Sequence, residues 1–235
     1  MPKEWFKLVA NQYGYGEDNL GLPNTQRIHT DDSIEVRELN RPNSDGISKI
    51  AFSLTIDAGC QYGGGLSCTG HNGLKSSFLG WMTYHRFWLH KDLFAFTLGG
   101  GQMNNAGRYL TLLPPIDGAW AASGTPYFTE NPGQPAHMWD STVTFQYMPR
   151  QYITWWAEVG YRHSDIPYFA GRGGVTPPGG NNGAPQYYTC ASGATSGTNT
   201  FAAAEVACGG GPGSVWFPDL RRSESKLSAG VMVKF

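Results

Sequence analysis

Between Glu224 and Phe235 the chain sorts its residues by parity. Leu227, Ala229, Val231, Val233 and Phe235 occupy one set of alternate positions, and Lys226, Ser228, Gly230, Met232 and Lys234 the other. Successive side chains of a strand point to opposite faces, so this segment reads as a strand with one apolar and one mostly polar face. An edge strand of a soluble sandwich can carry the same alternation. The segment also stops on an aromatic carboxy-terminus, Phe235, which a soluble domain seldom exposes.

The same period recurs upstream. From Ile50 to Tyr62, the apolar set Phe52, Leu54, Ile56, Ala58, Cys60 and Tyr62 alternates with Ser53, Thr55, Asp57, Gly59 and Gln61. Trp139, Val143, Phe145 and Tyr147 alternate with Asp140, Thr142, Thr144 and Gln146. After Met148-Pro149-Arg150 the pattern resumes, with Ile153, Trp155, Ala157, Val159 and Tyr161 set against Thr154, Trp156, Glu158, Gly160 and Arg162. Ser33 to Leu39 sets Ile34 and Val36 against Glu35 and Arg37; Phe78–Leu89 and Leu93–Gly101 are strand-like and aromatic-rich; Trp5–Tyr15 is one more strand. Helical periodicity is not sustained anywhere. Charged residues make up 15% of the chain, well below the roughly 25% of soluble domains. No run of about 18 apolar residues is present, which argues against a transmembrane helix and leaves the closed barrel as the one way to span a bilayer. A mean hydropathy of −0.36 is compatible with that, because half of every barrel strand faces the lumen.

Counting gives about eight strands, and their connections fall into two classes. Asn40–Ser48, His90–Asp92 and Pro149–Gln151 are short, whereas 16–26, 63–76, 102–138 and 163–223 are long and rich in Gly, Pro and Asn. Tight turns at one end and long loops at the other are the pattern of outer-membrane barrels. The expectation is therefore a single domain, 1–235, all-β: an antiparallel up-and-down transmembrane β-barrel with about eight visible strands, alone or as part of a larger barrel. Trp139 with Tyr147, and Trp155 with Tyr161, fall near opposite ends of the apolar rows, where interfacial girdles belong. Phe235 is the expected assembly signal for the barrel-assembly machinery. A barrel has to be exported, so the chain is expected either to have lost a leader or to be the carboxy-terminal part of a longer protein.

Little in the sequence points to catalysis. His29-Thr30-Asp31-Asp32-Ser33 gathers the right residue types, but neighbours at the head of a strand diverge and do not build a triad. Gly171-Arg172-Gly173-Gly174 lacks the Lys-Ser/Thr of a phosphate loop and reads as a loop. Cys60, Cys68, Cys190 and Cys208 all lie in or beside long loops; local pairs, 60 with 68 and 190 with 208, suit an oxidising compartment, and free thiols are the other reading. Their spacing is not that of a metal or redox motif. A net charge of −1 gives no hint of nucleic acid. No enzyme activity, cofactor or metal is expected. What remains is the lumen: Glu35, Arg37, Asp57, Asp140, Glu158, Arg162 and Lys226 share the inward parity, where mixed charges line a wet pore or interlock as a plug. Arg108, Asp117 and Glu130 lie on the 102–138 loop, which is long enough to fold into the mouth and constrict it.

Several segments carry a specific resemblance. They are Phe96-Thr97-Leu98-Gly99-Gly100-Gly101, Gly107-Arg108-Tyr109-Leu110, Leu113-Pro114-Pro115, Pro126 to Gly133, Tyr147-Met148-Pro149, and Pro167-Tyr168-Phe169 leading to Gly173–Pro177. With Arg27 to Ser33, they resemble the OmpL-like family of bacterial outer-membrane β-barrel porins. Members are longer, so the resemblance implies a carboxy-terminal or shortened member in the outer membrane of a Gram-negative bacterium, surrounded by outer-membrane lipid. It implies a porin-like channel for passive diffusion of small hydrophilic solutes or ions. A barrel with a structural or adhesive role in its surface loops is the alternative.

Overall fold

Eight segments in which β-branched and aromatic residues recur at every second position form eight long strands. The computed structural model describes residues 5–118, 126–127, 135–180 and 187–235. The strands are β1 (Phe6–Gly16), β2 (Thr25–Asn40), β3 (Ile47–Gly63), β4 (Ser77–Leu89), β5 (Phe94–Ala106), β6 (His137–Arg150), β7 (Ile153–Ser164) and β8 (Ser223–Val233). Each pairs antiparallel with its sequence neighbours, giving one meander in chain order. Among the described residues β1 pairs only with β2 and β8 only with β7, so the sheet is open and no barrel closes. The expectation of an all-β antiparallel meander holds; closure is not part of the described ladder.

Residues opposite one another in a ladder lie on the same face, so the register assigns every side chain to a side. One row runs Phe6, Val36, Phe52, His85, Leu98, Val143, Val159, Leu227. The row one residue away, on the other face, runs Lys7, Glu35, Ser53, Tyr84, Gly99, Thr142, Gly160, Lys226. The first row is apolar on seven of the eight strands, and among the described residues no second layer pairs with the sheet. Leu98 is 51% exposed, Val159 59% and Leu227 77%. Trp139 and Tyr161 meet at its loop end, ring centroids 5.3 Å apart, and Tyr147 pairs with Trp155 at its turn end.

Two strands are longer than their hydropathy suggests. β2 begins at Thr25, not near Ser33, because Arg27 to Ser33 is polar on both faces and only pairing with β1 and β3 holds it extended. β5 continues to Ala106, so Gln102 to Ala106 belongs to the sheet and the loop spans 107–136. The turn ends are tied together. His90, Lys91 and Asp92 all have positive φ (49°, 54° and 69°), a conformation that costs non-glycine residues about 1–2 kcal/mol each. Ser48 Oγ donates to Asp92 Oδ1 at 2.7 Å, Lys49 pairs with Asp92, and Lys91 pairs with Asp45 at 2.9 Å, so the β4–β5 turn is held against its neighbour.

The buried core lies at the loop end. Phe78, Tyr109 and Phe169 are buried where the long loops meet the charged face, and Tyr188, Ala204 and Val215 form a second cluster within the last loop. That loop contains a short helix, Phe201–Ala207, too brief to leave a helical period in the sequence.

Candidate functional site

All seven expected lining residues share one face. Glu35 and Lys226 stand in the charged row described above; Arg37, Asp57, Asp140, Glu158 and Arg162 fall at even offsets from it. Four of them are engaged by other residues of the chain. Glu35 pairs with Lys7 at 3.1 Å, Glu158 accepts from Thr144 Oγ1 at 2.7 Å, Arg162 reaches Glu224 at 3.9 Å, and Asp57 meets His29. Among the described residues, the side chains of Asp140 and Lys226 make no hydrogen bond or ion pair. Arg27, Asp31, Arg86 and Glu224 share this face too; continuing the parity of Glu35 back along β2 predicts the first two.

Large rings also sit on this face, and glycines decide how they lie. Tyr84 is opposite Gly99 and Trp156 opposite Gly230. A Cβ at Gly230 would stand 2.9 Å from the Trp156 ring, and one at Gly99 would overlap the Tyr84 ring. Each ring therefore folds over the bare backbone beside it instead of projecting away from the sheet. Aromatic cover of strand glycines is a known device for holding register, and here it also keeps the face low.

The loop after β5 is fastened to this face by Tyr109, which is 1% exposed. Its hydroxyl lies 2.6 Å from His29 Nδ1, and the two rings stack with centroids 5.6 Å apart. His29 Nε2 touches Asp57 Oδ1, which leaves Nδ1 to accept from the phenol. Arg27 lies over the Tyr109 ring at 4.4 Å and pairs with buried Glu17 at 2.8 Å; Gln61 donates to the same carboxylate at 2.5 Å. Gly59 makes the room, since a Cβ there would overlap both Tyr109 Oη and His29 Nδ1. The order Asp57–His29–Tyr109 has the connectivity of an acid–base relay. Its outer member is a poor nucleophile, however, because burial, only partly opposed by Arg27, pushes the phenol up to about 12. The cluster therefore acts as a latch. Sequence reading missed Tyr109 because its partner lies 80 residues away.

Of the three residues singled out on that loop, two fall among the described residues. Arg108 sits in the turn beside Gly107 with φ 57°. Asp117 accepts from Thr176 Oγ1 at 2.6 Å and so ties the loop to the following one. Glu130 lies outside the described residues. Gly171 to Gly174 is a loop wrapped around a carboxylate: Gly173 N–H donates to Asp219 Oδ2 at 2.9 Å, and Arg221 Nε pairs with Oδ1 at 2.8 Å. Disulfides join Cys60 to Cys68 and Cys190 to Cys208. Phe235 is fully exposed beyond β8. Among the described residues no three His, Cys, Asp or Glu side chains gather as a metal site.

Compared with protein-family models, curated proteins and solved structures, the chain finds no match. The resemblance to OmpL-like porins thus stands on the segments quoted above alone.

Proposed function

We propose that the protein is an outer-membrane β-barrel component whose charged face lines a water-filled path for small hydrophilic solutes or ions. The observation that carries the reading is the bare apolar face. A row from Phe6 to Leu227 crosses eight strands with a single polar interruption, His85, and among the described residues no layer covers it. A large exposed apolar patch marks a membrane or partner surface. The sorting of short turns and long loops to opposite ends supports a membrane in particular, as do the aromatic belts. From Trp139 to Tyr147 the strand covers about 27 Å, or about 20 Å across a bilayer at a 40° tilt, close to the roughly 25 Å apolar band of such barrels.

Open edges do not survive in lipid, so in this reading β1 and β8 are completed, by each other or by further strands. Eight strands closing alone leave an interior that side chains fill, so conduction by the refolded chain requires copies that complete one wider barrel. Rings folded over glycines and charges paired with their own neighbours favour the open lumen. The Tyr109 latch and the self-packed loop around Cys190–Cys208 favour the second reading, a non-channel barrel acting through its surface loops.

Planar-bilayer recording of the refolded chain separates the two, with heat-modifiable gel migration to establish folding. Discrete ohmic steps are the expected result. A folded but silent barrel would remove the channel and leave the surface-loop role.

A further inference from the structure

Between the charged face and the two longest loops lies a cavity of about 450 Å³. That is within the range of small-molecule sites. Gly80, Gly101 and the methionines Met82, Met103 and Met138 line it from the sheet, and Leu112, Tyr168 and Phe169 line it from the loops. Met103 and Met138 are direct cross-strand neighbours, so two thioethers stand side by side. Unbranched, polarisable methionine adapts to irregular apolar ligands and favours contact with aromatic rings.

One charge in this lining has no partner. Asp140 is opposite Gly101 on one side and Arg162 on the other. The glycine offers no side chain, and Arg162, which also lines the cavity, pairs with Glu224, 3.9 Å distant, and not with Asp140. Asp57 also lines the cavity but is engaged by His29. A partly buried carboxylate in an apolar wall is costly unless something pairs with it.

We propose that this cavity binds a small cationic amphiphile, a single ammonium group on an aromatic or branched aliphatic body. Asp140 takes the ammonium, the methionines take the body, and the Tyr168 and Phe169 faces add cation–π attraction. The same carboxylate turns away anionic solutes of equal size. The inference rests on the charged face being a solute path, because only then does a solute reach the cavity; binding itself needs no conduction.

Calorimetric titration of the folded protein with phenethylamine, phenethyl alcohol and phenylacetate tests it. Phenethylamine binds, the alcohol binds at least about tenfold more weakly, as expected for a lost charge-assisted contact, and phenylacetate does not bind. Asp140→Asn lowers amine affinity by about tenfold or more, while Asp140→Glu stays within a few-fold. Equal binding of amine and alcohol to the unaltered chain overturns the inference, as does unchanged amine binding by Asp140→Asn. If the Asn variant fails to fold, the three probes on the unaltered chain decide alone. A conducting channel that binds no amine sinks the inference and leaves the function; amine binding without conductance does the reverse.

Discussion

The row from Phe6 to Leu227 and the row from Lys7 to Lys226 are one residue apart on every strand. They share a backbone, a ladder and a set of turns, so strand propensity cannot explain why they differ. Only surroundings can. One row carries side chains that each gain about 1.5–3 kcal/mol on full transfer out of water; the other carries ions that lose far more in the same transfer. Such sorting persists across eight strands where each face meets a different medium. The loops give the second half of the lesson, because the described ones pack on the loop end of the charged face, while Leu98, Val159 and Leu227 on the apolar one stay exposed.

The sharpest way to break the contrast is to place the same charge on neighbouring residues of β6. Val143→Arg puts a guanidinium on the apolar face and is expected to destabilise the refolded protein in vesicles by about 2–4 kcal/mol. Thr142→Arg, flanked by Gly99 and Gly160 on the other face, is expected to cost under about 1 kcal/mol. Denaturant unfolding followed by gel mobility compares them; equal losses would mean the faces are not distinct.

A smaller effect is expected at the latch. Gly59→Ala drives a methyl group into Tyr109 and His29 and should cost about 1–3 kcal/mol as overpacking. Tyr109→Phe keeps the ring but loses the bond to His29, worth about 1 kcal/mol. Both should raise hydrogen exchange over residues 107–118 while leaving β6 and β7 protected, and both should widen conductance if the loop narrows the path.

The smallest effect concerns the ends of the strands, not their faces. Asp219 is held below its ordinary 3.8 by the Gly173 N–H and then by Arg221. Burial works to raise Asp92, but the bonds from Lys49 and Ser48 outweigh it, and the net shift is downward. A carboxyl lowered on folding adds stability that is complete above its unfolded value and is lost as pH falls through the folded one. Below about pH 4 exchange should therefore rise at Gly173 and at the His90–Leu93 turn before it rises within the strands. Simultaneous loss everywhere would contradict this order.

These contrasts were unevenly legible in the sequence. Where one parity is apolar, as from Ile50 to Tyr62 or Ile153 to Arg162, both strand and facing could be read directly, and the seven charges fell on one side. Where both parities are polar, as from Arg27 to Ser33, pairing alone makes the strand and hydropathy carries no signal. The latch was illegible for another reason. His29 meets Asp57 through register and Tyr109 through a loop, and neither proximity leaves a local pattern. The cavity depends on Met82, Met103 and Met138, whose shared face follows from a register no single segment contains.

The most direct test of the two-medium account is a spin-label scan of β7, one introduced cysteine at a time from Ile153 to Ser164, in lipid vesicles. The account predicts a period of two. Positions 155, 157, 159 and 161 should be reached by oxygen dissolved in the bilayer, and 156, 158, 160 and 162 by a water-soluble nickel chelate. Equal access of the chelate to both sets, or the opposite phase, would contradict it.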